Sequence, residues 1–141
     1  MRRGLERLAR DGSGSAVVEA AFGIPIVIVI VIGLLQVGMA FLVNAGIRHA
    51  VETGARFATI YRTPPATAPT DAEIITRMRS SAFGAPAADF TVPTPVRATD
   101  ATNGQRYVQV TMSYPYRFNM VFISLPAITL TYSRRAYLMP S

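Results

Sequence analysis

The sequence contains no cysteine, which excludes disulfides, thiolate metal sites and cysteine nucleophiles and leaves the redox compartment undetermined. Lysine is also absent: all 14 basic residues are arginines, and they are scattered singly or in pairs. A surface that binds nucleic acid needs clustered basic residues, ideally with stacking aromatic side chains between them. The sequence therefore argues against nucleic-acid binding, in spite of a formal net charge of +6.

Charge of either sign is missing from one long stretch. Only 16% of the 141 residues are charged, against about a quarter in an average protein. Residues 20–47 carry no charged side chain, and Gln36 is the only strongly polar one up to residue 43. As an α-helix these 28 residues would span roughly 42 Å, whereas the hydrocarbon core of a bilayer is roughly 30 Å thick. The sequence predicts one transmembrane helix.

The centre of this stretch has strand-forming composition, because residues 26–32 alternate isoleucine and valine. Its length favours a helix, since a lone strand in lipid would leave its backbone polar groups unsatisfied. Pro25 is tolerated in transmembrane helices and is expected to kink this one. Apolar residues then recur at helical spacing as far as Tyr61, and Thr-Pro-Pro at residues 63–65 is expected to end the helix.

Four small residues fall four positions apart in the second half of this helix. A ridge of this kind lets another backbone approach closely. The alternative is that an alanine-rich helix has small residues on every face. The predicted helix-packing ridge consists of Gly46, Ala50, Gly54 and Ala58.

Beyond the helix the pattern predicts a linker, a short helix and a small antiparallel sheet. Residues 70–73 have the spacing of a capping box, and the apolar face that follows is stopped by Gly84 and Pro86. The apolar period then changes to two. Strands are predicted near residues 90–92, 107–114 and 128–133, with a turn at Asn103-Gly104, whereas residues 116–126 are apolar and irregular. The predicted fold class is α+β.

No group of residues with catalytic spacing is present. The single histidine, His49, follows Arg48 just beyond the predicted membrane segment and is expected to be solvated or interfacial. The acidic residues beyond residue 70 lie where helix capping and turns account for them. No glycine-rich phosphate loop, serine elbow or metal-ligand spacing is found. We expect no enzymatic activity, no catalytic residue, no metal and no cofactor.

Glu19 lies near the start of the predicted membrane helix. A carboxylate is costly to bury in lipid, so such a residue is a functional candidate that needs a partner. Alternatively, Glu19 is within about two turns of the polar residues 1–14 and could reach the lipid headgroups. The properties of Glu19 alone do not separate these interpretations.

The surroundings of Glu19 resemble the processing site of type IV prepilins and pseudopilins. Residues 14–19 read Gly-Ser-Ala-Val-Val-Glu, after a short basic leader and before a long apolar helix. In those proteins a membrane-embedded aspartyl prepilin peptidase cuts after a glycine, and the fifth residue of the mature chain is glutamate. The resemblance implies that Gly14 ends the leader, that Ser15 becomes the new N-terminus, and that Glu19 pairs with the α-amine of a neighbouring subunit.

A wider resemblance is to the TadE-like family, the minor pilins or pseudopilins of the tight-adherence, Flp-type pilus machinery. It rests on Val-Val-Glu-Ala-Ala-Phe at residues 17–22, Pro25, and Glu-Thr-Gly-Ala-Arg-Phe-Ala at residues 52–58. Val-Thr-Met-Ser-Tyr-Pro-Tyr at residues 110–116 and the late Ser-Arg-Arg at residues 133–135 extend it. Major Flp pilins are much shorter, and many members have tyrosine where this chain has Ala20. Both differences favour a minor, domain-bearing subunit.

The resemblance implies a single-pass protein of the bacterial inner membrane. The implied organisation is a cytoplasmic, cleaved leader (residues 1–14), a transmembrane helix (15–45) and a periplasmic or extracytoplasmic α+β domain (46–141). The arginines of the leader agree with the positive-inside rule, whereas those at positions 48, 56 and 62 oppose it. The implied partners are other pilin or pseudopilin subunits, the prepilin peptidase and the inner-membrane pilus assembly platform.

Two other hypotheses stay open. In the first, signal peptidase releases a small secreted binding domain after residues 43–45, Val-Asn-Ala, although the apolar run exceeds the usual 7–15 residues of a signal core. In the second, a generic membrane anchor presents a small β-rich binding domain, and Gly14 and Glu19 have no role in a pilus.

Overall fold

The computed structural model describes residues 13–60, 68–119 and 126–138. Two helices are followed by a three-stranded antiparallel sheet, and one 3₁₀ turn (Ala87–Asp89) precedes the first strand. The predicted α+β class is confirmed. The elements are α1 (Ser13–Ala58), α2 (Asp71–Ser81), β1 (Val96–Thr99), β2 (Arg106–Tyr116) and β3 (Ile128–Tyr137).

Helix α1 has two different environments along its 46 residues, a length of about 69 Å. It continues through Pro25, and most of its large apolar side chains are exposed as far as Leu42. From Val43 onward one face is buried in the domain. The helix ends at Ala58, where tight turns bond the N–H groups of Thr59 and Ile60. The predicted end at Tyr61 and residues 63–65 lies outside the described residues.

Helix α2 begins with the predicted capping box. The Thr70 hydroxyl accepts the N–H of Glu73 at 3.3 Å, and the Glu73 carboxylate accepts the N–H of Thr70 at 2.9 Å. These two bonds satisfy N–H groups that the helix itself leaves without partners. Ile74 and Met78 are buried against α1. Gly84 then turns the chain with φ = +89°, a conformation that glycine adopts without strain.

The sheet has the order β1-β2-β3, and β2 is its central strand. Val108, Val110 and Met112 alternate along β2 and are buried, as the period of two predicts. The loop from β1 to β2 contains the predicted Asn103-Gly104 turn, and Gly104 has φ = +69°. The inner face of β2 therefore closes a single core with α2 and the second half of α1.

The predicted strand at residues 90–92 is wrong. Phe90 is a core residue whose ring centroid lies 5.3 Å from that of Tyr114, and Thr91 forms only an isolated bridge with Ser113. Two prolines follow, at positions 93 and 95. Because proline has no N–H to donate, the ladder cannot begin until both have passed. The first strand, β1, therefore starts at Val96.

Candidate functional site

The three residues of the predicted processing and pairing site lie in the first turns of α1. Gly14, Ser15 and Glu19 are all exposed there. Glu19 follows Ser15 by one helical turn, about 6 Å along the axis. Among the residues that the structure describes, none forms an ion pair or hydrogen bond with the Glu19 carboxylate. The Glu19 carboxylate is thus available to a group outside the described residues.

The helix surface beyond Glu19 is apolar and uncovered. By length and composition, the stretch Gly14–Ala58 could cross a membrane. A soluble helix with this composition would be buried, whereas here Phe22 is 72% and Leu34 68% exposed. The exposed surface thus needs lipid or other apolar helices around it.

The small-residue ridge packs against the protein's own domain. Gly46, Ala50, Gly54 and Ala58 are all buried. A Cβ atom at Gly46 would overlap the backbone of Phe83, and one at Gly54 would overlap the side chain of Met78. The close approach that small residues allow is therefore made here by α2 and the segment that follows it.

A polar cluster joins α1 to the edge strand β3 on another face. Glu52 forms an ion pair with Arg134, and the Tyr132 hydroxyl donates to the same carboxylate at 3.4 Å. The Arg48 guanidinium lies 5.2 Å from the centre of the Tyr132 ring. At this distance the cation is attracted by the ring face. The cluster fixes β3, whose outer edge has no strand partner among the described residues, to the helix.

Gln36 connects the helix to the end of β2. Its side-chain oxygen accepts the backbone N–H of Asn119 at 2.8 Å, and its side-chain nitrogen donates to the Asn119 carbonyl. The Tyr116 hydroxyl donates to the Gln36 backbone carbonyl at 2.8 Å. Burial raises the pKa of Tyr116, so this hydroxyl keeps its proton and remains a donor at neutral pH.

An apolar groove of about 450 Å³ opens beside this connection. Val37 and Phe41 line it from α1, Phe118 from the end of β2, and Ile128 and Leu130 from β3. Towards the groove the rings of Tyr114, Tyr116 and Phe118 follow one another with centroids 6.4 and 5.0 Å apart. The last of these contacts is edge-to-face, a favourable geometry for aromatic rings.

One comparison with known proteins finds a match to the helix that carries these features. Residues 14–56 match the family model described as TadE-like protein. The predicted resemblance is confirmed for this TadE-like segment, which begins at Gly14 and contains Glu19 and Gln36. No curated protein and no solved structure matches the chain. The match covers 43 of the 141 residues, and all of them lie in α1.

The described residues were compared with the requirements of a metal site. No group of three or more His, Cys, Asp or Glu side chains among them could hold a metal ion. His49 is exposed, and its ring lies 5.9 Å from that of Phe83. TadE-like, pilus-associated proteins are in general not enzymes.

Two functional features were not predicted from the sequence. Gln36 stood out as the one strongly polar residue of the apolar run, but its partner Asn119 is 83 positions away. Arg48 and Glu52 lie four positions apart on α1, but this spacing does not indicate that β3 packs against them. In both cases the signal lay in α1, and the partner came from the fold.

Proposed function

We propose that this chain is a pseudopilin-like subunit of a tight-adherence, Flp-type pilus assembly system, processed by a prepilin peptidase after Gly14. The observation that carries the proposal is the exposed carboxylate of Glu19, which has no partner among the described residues and lies at the start of an uncovered apolar helix. The match of the TadE-like segment supports it, because that segment begins at the glycine where the peptidase would cut.

Cleavage after Gly14 would create a positively charged α-amine on Ser15. In a bilayer or a helix bundle, where the dielectric constant is low, an unpaired Glu19 carboxylate is strongly disfavoured. Pairing with the Ser15 amine of a neighbouring subunit removes that cost. Because Ser15 and Glu19 are one turn apart, the pair fixes an axial offset of about 6 Å between adjacent helices.

The proposed topology places residues 1–14 in the cytoplasm and the α+β domain outside the inner membrane. Four arginines in the leader support this orientation through the positive-inside rule. The partners in assembly would be other pilin or pseudopilin subunits, the peptidase and the inner-membrane assembly platform.

The mature N-terminus tests the processing step. Mass spectrometry of the protein from cells that contain the peptidase should find Ser15 as the first residue, and deletion of the peptidase should restore residues 1–14. The same N-terminus in both strains contradicts the mechanism.

Glu19 is tested by Glu19→Gln, which keeps the size of the side chain and removes its charge. The variant should insert in the membrane at the wild-type level and lose assembled pili. Glu52→Gln is the matched control, because Glu52 pairs within the chain with Arg134. Normal piliation by Glu19→Gln would exclude the pairing role.

Release of a secreted domain by signal peptidase would disrupt the core. Cleavage after Ala45 would remove Val43, which is 1% exposed, and the Gln36 contacts with Asn119 and Tyr116. We expect the domain to stay in the carbonate-insoluble membrane fraction. A soluble form beginning at Gly46 would favour secretion, and a membrane form whose N-terminus is independent of the peptidase would favour a plain anchor.

A further inference from the structure

The contact between α1 and the end of β2 lies where the uncovered part of the helix gives way to the domain. We call this contact the junction surface: Gln36, Val37, Tyr116, Phe118 and Ile128, with the Asn119 backbone bonded to Gln36. Large apolar side chains of α1 are exposed on both sides of this surface, as far as Leu42, and the helix enters the core at Val43.

The polar groups at the junction are already bonded to each other. The side-chain amide of Gln36 uses its oxygen and its nitrogen on the Asn119 backbone, and its backbone carbonyl accepts from Tyr116. A polar residue with its hydrogen bonds satisfied inside the protein costs much less next to hydrocarbon than an unsatisfied one. Gln36 is thus suited to the boundary of the apolar layer.

The length of α1 before Gln36 matches a bilayer. From Gly14 to Leu35 an α-helix extends about 33 Å, close to the roughly 30 Å of the hydrocarbon core. A span that continued to residue 45 would extend about 48 Å. It would also draw the groove-lining polar residues Asn44, Thr129 and Thr131 into hydrocarbon.

We propose that the junction surface lies in the headgroup layer of the bilayer, with Tyr116 and Phe118 in contact with lipid, so that the membrane-spanning segment ends at Leu35. This inference rests on the proposed membrane span and adds a lipid-contacting face of the domain. Tyrosine suits this layer because its ring is apolar and its hydroxyl is polar. Arg117, exposed between the two rings, can reach the lipid phosphates.

We assign lipid as the partner of the junction surface because this surface continues the apolar surface of the membrane span. The groove between Phe118 and Ile128 opens directly beside Val37 and Phe41 of α1, which are themselves exposed. Whatever surrounds the span therefore also reaches the groove. For a single-pass helix this is first of all the acyl chains and headgroups of the membrane.

The absence of tryptophan from the sequence allows a direct test. The full chain is reconstituted in vesicles of phosphatidylcholine and phosphatidylglycerol, with bromine on the acyl chains either near the headgroup or near the bilayer centre. Single tryptophans are introduced as Phe118→Trp and Ile128→Trp at the junction and as Ile28→Trp within the span. Phe83→Trp is the control, because Phe83 packs at Gly46, about 15 Å further along α1.

We expect both junction tryptophans to lose emission to bromine near the headgroup, Ile28→Trp to bromine near the centre, and Phe83→Trp to neither. Quenching of Ile28→Trp without either junction variant overturns the inference and leaves the membrane span intact. No quenching at Ile28→Trp overturns both. Blue-shifted but unquenched emission at the junction would show that a second copy covers the surface and would also overturn it. Circular dichroism confirms that each variant is folded.

Discussion

The backbone N–H of Asn119 donates to the side-chain oxygen of Gln36 at 2.8 Å, joining two residues that are 83 positions apart. The same glutamine bonds the Asn119 carbonyl, so one side chain occupies both backbone groups of a residue that follows β2. The residues that directly follow β2 are thereby fixed to α1.

Replacement of this side chain should free the Asn119 backbone. In Gln36→Leu the N–H and the carbonyl lose their partner, at a cost of about 1–3 kcal/mol. Hydrogen exchange at the Asn119 amide should accelerate on the order of tenfold, because about 1.4 kcal/mol corresponds to that factor. Gln105→Leu, in the exposed loop between β1 and β2, is the control. Unchanged exchange at Asn119 in Gln36→Leu would contradict the contact.

Alanine substitutions along the ridge should destabilise the domain in a defined order. Gly46→Ala drives a methyl group into the Phe83 backbone, whereas Gly54→Ala meets the flexible Met78 side chain. We expect losses of about 1–3 kcal/mol in the free energy of unfolding in detergent micelles, larger for Gly46→Ala. Gly38 is the control, because a methyl group added there would meet no atom within 4 Å.

Gly38→Ala should be neutral or stabilising by up to about 1 kcal/mol, since alanine favours a helix over glycine. Truncation of the buried Met78 is itself destabilising, so Gly54→Ala combined with Met78→Ala should cost less than the sum of the two single substitutions. Equal effects of the three glycine substitutions would show that helix propensity, and not close packing, governs these positions.

The ion pair between Glu52 and Arg134 should contribute modestly to the free energy of unfolding. The Arg134 side chain is half exposed, so solvent screens the pair, and exposed pairs couple by about 0.2–1 kcal/mol. A double-mutant cycle with Glu52→Ala and Arg134→Ala should give a coupling energy in that range. The same cycle with Arg135→Ala should give none, because Arg135 bonds Gln109 and lies over Tyr107. Equal coupling for the two arginines would contradict the observed geometry.

The Asp100 carboxylate should respond to a substitution at Tyr137. The backbone N–H of Thr102 and then the Tyr137 hydroxyl hold the pKa of Asp100 below its ordinary value of 3.8. Its stabilising effect is therefore complete above pH 3.8 and is lost as the pH falls through the folded-state pKa. Tyr137→Phe should raise this pKa only part of the way, because the Thr102 bond remains.

The carboxyl carbon resonance of Asp100, followed by NMR during an acid titration in micelles, measures this change. Tyr107→Phe is the control, since the Tyr107 ring contacts Tyr137 but its hydroxyl is not bonded to Asp100. For Tyr137 the pKa shift and the pH dependence of stability have the opposite sign. The hydrogen bond to Asp100 raises the pKa of Tyr137 above 10.0. The stabilising effect of Tyr137 is therefore present below pH 10.0 and is lost as the pH rises through its folded-state pKa.

The sequence predicted those elements whose pattern is local. The capping box at Thr70 and Glu73 and the alternation along β2 each follow from a few consecutive residues, and both are present in the structure. Strand β1 has no such pattern. It forms because Val96 and its successors pair with β2, starting opposite Gln109, once the prolines have passed.

The candidate site divides in the same way. Small residues such as Gly46 and Gly54 indicated a close approach, but the spacing could not show that the approaching atoms belong to the same chain. Glu19 and its helical context could be identified from consecutive residues, whereas its proposed partner is a terminus of another molecule. The Gln36–Asn119 contact depends on the complete fold, since no local pattern connects these two residues.

Helix α1 runs without interruption from Ser13 in the apolar half to Ala58 in the core of the domain. Membrane segment and domain thus share one continuous backbone, with no flexible linker between them. Any sliding or rotation of α1 among its neighbours therefore displaces the domain by the same amount. A step of one helical turn at the Glu19 end would displace the domain by about 5.4 Å, so axial movement of the helix would reach the domain at full amplitude.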